Sequence, residues 1–204
     1  MKVSPAKNLV HRVFKLLPEL QMSDVLPMLG KVSQGSMNDI LDKGKSYYYQ
    51  WLPCLMRELQ PKQVVELGGA MGASSLMMLY GLPKSSKLYS ITLEEHGLEF
   101  SFMEPELYPN FTQIVGNDLD LMVWPENLDL GETDIWFFDT DHTYEQLMAE
   151  YELYKPFFKP GAVLLFDDIK LNDGMKKAWK EMELGDKYEA DELHWSGFGV
   201  AIYG

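Results

Sequence analysis

Past Pro61 the sequence alternates between short apolar runs of strand length and stretches with helical spacing, and that rhythm constrains the fold more than any other feature. Residues 63–67 (QVVEL), 88–92 (LYSIT), 111–115 (FTQIV), 134–138 (DIWFF) and 162–166 (AVLLF) read as strands. Helical patterns cover 73–80, 144–158 and 174–182, and two weaker strands fall near 188–193 and 199–203. Strands that alternate with helices need crossover connections. The expected fold is therefore α/β: a doubly wound, mostly parallel, seven-stranded Rossmann-like sheet with helices on both faces and an N-terminal helical extension.

A length of 204 residues suits one domain. We expect residues 1–60 to form a helical cap region of that domain and residues 61–204 to form its ligand-binding part. Near the N-terminus the apolar positions Leu9, Val10, Val13, Phe14, Leu16 and Leu17 are interrupted by His11, Arg12 and Lys15. That pattern fits an amphipathic helix and lacks the unbroken apolar stretch of a signal peptide. Ser23 and Asp24 can cap a short helix, with Pro27 in its first turn. A longer helix is expected over 46–59, stopping at Pro61. Its aromatics Tyr47, Tyr48, Tyr49 and Trp51 can serve packing, a lid over a ligand, or, where exposed, a homodimer contact.

The formal charge is −13, from 31 acidic and 18 basic residues. Such a surface repels phosphate backbones and anionic lipid, so the expected partner is a small molecule, not nucleic acid or membrane. No apolar run approaches the roughly 20 residues of a membrane helix. The single cysteine, Cys54, rules out an internal disulfide and a cysteine-built zinc site, and it fits a cytoplasmic setting.

In doubly wound sheets, ligands bind beyond the carboxyl ends of the strands. The first strand ends in Glu66-Leu67-Gly68-Gly69-Ala70-Met71-Gly72-Ala73-Ser74. Its glycines permit a tight turn and close approach of a ligand to the backbone, and the next helix offers free N–H groups to an anion. A dinucleotide fingerprint would require Gly where Ala70 stands, which speaks against a nicotinamide oxidoreductase. A plain strand-to-helix turn has the same pattern. The second strand ends at Thr92 with Glu94 just beyond, where an acid commonly accepts ribose hydroxyls. After the third strand, Asn117 and Asp118 can face an adenine edge or simply make a turn.

The fourth and fifth strands deliver Asp139 and the pair Asp167-Asp168. If these strands are neighbours, three carboxylates converge, and like charges so placed call for a cation. Oxygen ligands suit Mg²⁺, or another divalent ion such as Ca²⁺ or Mn²⁺. His142, three residues past Asp139, has an intrinsic pKa suited to a general base. The plainer alternative has Asp141 capping the following helix and Asp167-Asp168 merely closing a strand. His11, His96 and His194 have no comparable context.

Together, VVELGGAMGASSL, FFDTDHTYE and KPGAVLLFDDI resemble the class I S-adenosylmethionine-dependent methyltransferases. The closer resemblance is to the metal-dependent O-methyltransferases of the catechol, caffeoyl-CoA, macrolide-sugar and cephalosporin-hydroxylase-like branches. The resemblance implies that Glu66, Gly68, Gly69, Gly72 and Ser74 form the cofactor turn, with Ser74 near the methionine carboxylate. It puts Thr92 in the family's acidic ribose column, with Glu94 two residues on, and Asn117 and Asp118 on the adenine side. Asp139, Asp167 and Asp168 fall on the metal ligands, Asp139 also bordering the cofactor. His142 falls where the catechol enzymes carry a lysine. The implied activity is methylation of a hydroxyl, of diol or catechol type, with S-adenosylmethionine and Mg²⁺ or another divalent cation. The alternatives are a metal-independent N- or carboxyl-methyltransferase and a non-catalytic cofactor-binding module.

Overall fold

The computed structural model describes residues 4–20, 23, 46–70, 72–93 and 108–204. The short helix expected after Ser23-Asp24, and Glu94, lie outside the described residues. Among those described, the helices are α1 (Pro5–Phe14), α2 (Tyr48–Leu59), α3 (Ala73–Gly81), α4 (Tyr144–Tyr154) and α5 (Asp173–Glu181). The strands are β1 (Gln63–Leu67), β2 (Lys87–Thr92), β3 (Phe111–Val115), β4 (Ile135–Phe138), β5 (Val163–Phe166), β6 (Asp186–Glu189) and β7 (Gly199–Ile202).

These strands form one seven-stranded sheet in the order β3-β2-β1-β4-β5-β7-β6. β1 to β5 run parallel, and β7 is antiparallel to both β5 and β6. This is the expected doubly wound sheet. Alternation along each strand divides the core between two faces. Ile135, Phe137, Val163 and Leu165 face α1, α2 and α3. Trp136, Phe138, Leu164 and Phe166 face α4 and α5.

The helices depart from expectation at their ends, each time for a local reason. The pattern over 144–158 holds as helix only to Tyr154 and then tightens into a 3₁₀ turn, Lys155–Phe157. Pro156 sits there and cannot continue the α-helical hydrogen bonding. α4 is capped by Thr143, whose hydroxyl accepts from Gln146 N, so Asp141 does not cap it. The strand expected over 188–193 instead covers Asp186–Glu189, because the amide of Leu193 turns back to Ala190 O. The aromatics of α2 were expected in part as exposed. Tyr48 and Trp51 are instead buried against Phe198, and Tyr49 stacks on Tyr48. Among the described residues no helix is long and apolar enough to cross a membrane.

Candidate active site

The chain leaves β1 towards one sheet edge through β2 and β3, then returns beside β1 as β4 and continues to β5. The crevice between the ends of β1 and β4 is the topological switch point, where doubly wound sheets bind ligands. Gly68 closes it. Its φ is +92°, and a Cβ there would lie 1.7 Å from the carbonyl oxygen of Asp139. Only glycine lets the β1 turn pass this close to the end of β4.

Beneath that turn lies Glu66, fully buried. Its carboxylate accepts from Ser74 Oγ and Ser90 Oγ, both at 2.5 Å, and from Ser75 Oγ. Burial pushes its pKa up, while the three hydroxyls pull it back. Ser74 was expected to reach the cofactor's carboxylate. Its hydroxyl is spent on Glu66, and neither cavity at the site is lined by Glu66, Gly69, Gly72 or Ser74. These residues shape the bend: Gly68 N and Gly69 N donate to Ile91 O, and Gly72, with φ +78°, opens α3.

Two cavities meet at the turn. The first, about 350 Å³, runs along the ends of β1, β2 and β3 and is lined by Gly68, Ala70, Thr92, Asn117, Asp118, Asp139 and Gln146 among others. Of the expected cofactor residues, the structure thus brings Gly68, Thr92, Asn117, Asp118 and Asp139 to one wall. The second cavity, about 410 Å³, lies beyond the ends of β4 and β5. Asp139, His142, Asp167, Asp168 and His194 line it, with Tyr48, Tyr49 and the exposed Trp195. Gly68, Ala70, Asp139 and Thr140 border both.

The expected carboxylates do gather, but not as a bare triad. His142 stands between two of them, with Nε2 3.4 Å from Asp139 Oδ1 and Nδ1 3.4 Å from Asp168 Oδ2. The ring on Asp139 is an ion pair outside hydrogen-bond geometry, which leaves His142 Nε2 a buried nitrogen with no hydrogen-bond partner. Burial disfavours the charged imidazole, but Asp139, Asp168 and Asp167 outweigh it and push the pKa up to about 9. His142 was expected to be a base at neutral pH; facing three carboxylates with no cation among them, its imidazole is held towards the charged form. Burial and Asp167 push Asp139 upward as well.

His194 is the residue that the sequence did not reveal. Its Nδ1 lies 2.7 Å from Asp167 Oδ1 and 3.3 Å from Asp168 Oδ1, and Nε2 is 3.1 Å from Ser46 Oγ. Ser196 donates to Asp168. Asp168 itself takes the left-handed conformation, φ +56°, rare for a residue with a side chain. The signal that could have found His194 is topological. β7 is antiparallel to β5, with Gly199 opposite Phe166, so the residues just before β7 arrive beside those just after β5.

The donor set can hold a divalent cation. Ligand atoms of Asp139, His142 and Asp167 lie within 4.8 Å of one another, as do those of Asp167, Asp168 and His194. Carboxylate oxygens with imidazole nitrogens suit such an ion, and His142 Nε2, ion-paired with Asp139 but without a hydrogen bond, lies at the same place.

A crevice at the switch point, a glycine bend and acids at the ends of β4 and β5 define a class, and comparison with known proteins names it. The family model for a methyltransferase domain matches residues 65–169, half of the chain, and the chain belongs to that family. No curated protein matches the sequence. Among solved structures, the fold is similar to an O-methyltransferase from Bacillus cereus in complex with SAH, at 16% identity and TM-score 0.63, covering 100% of this chain and 94% of that one. It is also similar to the O-methyltransferase TomG from Streptomyces achromogenes, which is involved in tomaymycin synthesis and was solved in complex with SAM. There the identity is 19%, the TM-score 0.59 and the coverage 77% and 80%. A methyltransferase from Geobacter sulfurreducens matches at 17% identity and TM-score 0.60, over 95% and 96% of the chains.

Proposed function

We propose that this chain is an S-adenosylmethionine-dependent O-methyltransferase that methylates a hydroxyl of a small molecule with the help of a divalent cation. One observation carries the reading: a cavity at the glycine bend and a cavity lined by aspartates and histidines share the wall Gly68–Ala70–Asp139–Thr140. A donor in the first and an acceptor in the second would meet across that wall. The solved neighbours from Bacillus cereus and Streptomyces achromogenes, with SAH and SAM bound, support this choice of cofactor.

A bound cofactor would supply an electrophilic methyl on a sulfonium, and Asp139, Asp167 and Asp168 would hold a cation that lowers the pKa of an acceptor hydroxyl. The protein's own residues do the rest. Thr92, Asn117 and Asp118 line the donor's cavity. Tyr48, Tyr49 and Trp195 wall the acceptor's cavity with rings. Holding two reactants in line can supply roughly 7–11 kcal/mol of a barrier. His142 would be the proton carrier: with the carboxylate charge compensated, the upward pull on its imidazole falls, its resting proton passes to solvent, and Nε2 could then accept the acceptor's proton. An acidic surface favours small-molecule acceptors, and the single, buried Cys54 fits a reducing, cytoplasmic setting. A second reading, metal-independent transfer, is favoured by the two imidazoles that already balance the carboxylates.

The test is calorimetric binding of S-adenosylhomocysteine, followed by transfer of labelled methyl to a panel of hydroxyl acceptors with and without EDTA. Asp167→Ala is expected to leave cofactor affinity within about twofold and to cut metal-dependent turnover by about 10²-fold or more. Activity that survives EDTA favours the metal-independent reading.

A further inference from the structure

We propose that His194 is itself a ligand of the divalent cation, and that its imidazole makes the site favour ions such as Mn²⁺ over Mg²⁺. This rests on the cation of the proposed function and goes beyond it: the carboxylates alone would suit Mg²⁺.

The geometry of the ring supports a ligand's role. His194 is almost wholly buried, and its Nδ1 hydrogen-bonds Asp167 Oδ1 at 2.7 Å, with Asp168 Oδ1 at 3.3 Å and Ser196 Oγ at 3.2 Å, so a cation would take the place of the proton shared with Asp167. Donor atoms that share one ion at bond lengths near 2.0–2.3 Å sit about 3 Å apart along a coordination edge. The opposite nitrogen, Nε2, meets Ser46 Oγ at 3.1 Å. A hydrogen bond on one imidazole nitrogen orients the ring and fixes the tautomer that offers the other, the arrangement usual for metal-bound histidines. The edge of Tyr48 packs on the ring at a centroid distance of 5.2 Å, and Tyr48 N donates to Leu193 O, so α2 and the loop before β7 lock its position together.

The donor set then decides the ion. Asp167 belongs to both groups of candidate ligands, one completed by His142 and the other by His194. Mg²⁺ demands near-octahedral oxygen coordination and gives up its waters reluctantly. Imidazole nitrogen strengthens binding of the first-row transition ions instead.

The test uses the full-length protein with MnCl₂ and MgCl₂. Loss of the free Mn²⁺ electron paramagnetic resonance signal reports affinity, Mg²⁺ competition reports preference, and pulsed spectra report nitrogen coordinated to bound Mn²⁺. We expect Mn²⁺ to bind at least about tenfold more tightly than Mg²⁺, and His194→Ala to lose about tenfold in Mn²⁺ affinity. In His142→Ala, any remaining imidazole coupling must come from His194, so it should persist. Absence of nitrogen coupling in His142→Ala overturns the proposal even if His194→Ala does not fold. An unchanged Mn²⁺ preference in a folded His194→Ala also overturns it. Mg²⁺ binding without nitrogen coupling defeats His194 alone and leaves the carboxylate site standing. Failure to bind either ion defeats the cation altogether, while S-adenosylhomocysteine affinity, measured separately, still judges the cofactor.

Discussion

The two sides of the Gly68 wall solve the same problem in different ways. Each side buries carboxylates, which is costly unless they are paired, hydrogen-bonded or neutralised. On the side proposed for the donor, Glu66 is held by three serine hydroxyls, and Glu150, fully buried, accepts from Thr140 and Gln146 beside Asp118. Neutral groups and protons do the compensating there. On the acceptor side, Asp139, Asp167 and Asp168 are met by the imidazoles of His142 and His194. Hydroxyls beneath a backbone turn are fixed scaffolding. Imidazolium charges can be given up when another cation arrives, because metal binding releases protons from its ligands. One set of acids is thus tied to fixed neutral groups, and the other to groups that a cation could displace.

The largest effect is expected at the shared wall. Gly68→Ala would drive a Cβ into the Asp139 carbonyl, 1.7 Å away, in a conformation with φ +92°. Either the β1 turn or the end of β4 must move, and both cavities change together. A stability loss of about 3 kcal/mol or more is expected, with S-adenosylhomocysteine binding lost in whatever protein folds. A folded, fully binding Gly68→Ala would show that the two sides are less tightly joined than their common lining suggests.

Glu66→Ala probes the scaffold side. It removes the acceptor of Ser74, Ser75 and Ser90 and leaves a void beneath the bend. A loss of about 2–4 kcal/mol in chemical unfolding is expected, with Mn²⁺ affinity changed far less. If Mn²⁺ binding falls as steeply as stability, the division between scaffolding and exchangeable acids fails.

The two sides also differed in how far the sequence revealed them. The donor side is local. A strand, a glycine bend and a helix follow one another within residues 63–81, so QVVEL and the glycines were enough to place Gly68, and Thr92, Asn117 and Asp118 followed from the strand-end rule. The acceptor side depends on which strands become neighbours. The sequence left the neighbouring of β4 and β5 as a condition, and their parallel pairing in the structure brings Asp139 to Asp167. The antiparallel return of β7 brought His194 and Ser196 from a segment with no motif of its own. Two residues have partners that the sequence did not foresee. Ser74 stands where it was expected, at the start of α3, and its hydroxyl donates to the buried Glu66. For His142, the intrinsic pKa of imidazole was a poor guide once three carboxylates faced it.

The smallest effect is the most selective. Burial first, and then Asp118, push Glu150 up from 4.5 to about 9. A carboxyl raised in the folded state adds stability that is complete below its unfolded pKa and is lost as pH rises through the folded one. The window therefore runs from about 4.5 to about 9. Raised His142 has the same sign, with stability lost as pH climbs from 6.5 through about 9. The metal-free protein should thus weaken steadily towards alkaline pH. Gln in place of Glu150 mimics the protonated acid: its oxygen can accept from Thr140 and Gln146, and its amide can donate towards Asp118. Glu150→Gln should match the wild type near pH 5 and exceed it by on the order of 1–3 kcal/mol at pH 9, a difference in which His142 and the acceptor-side acids cancel. Parallel pH profiles for the two proteins in urea unfolding would mean that Glu150 is ionised after all. Hydroxyls and an amide would then be sustaining a buried charge on the donor side as well, and the contrast between protons there and imidazoles across the wall would no longer hold.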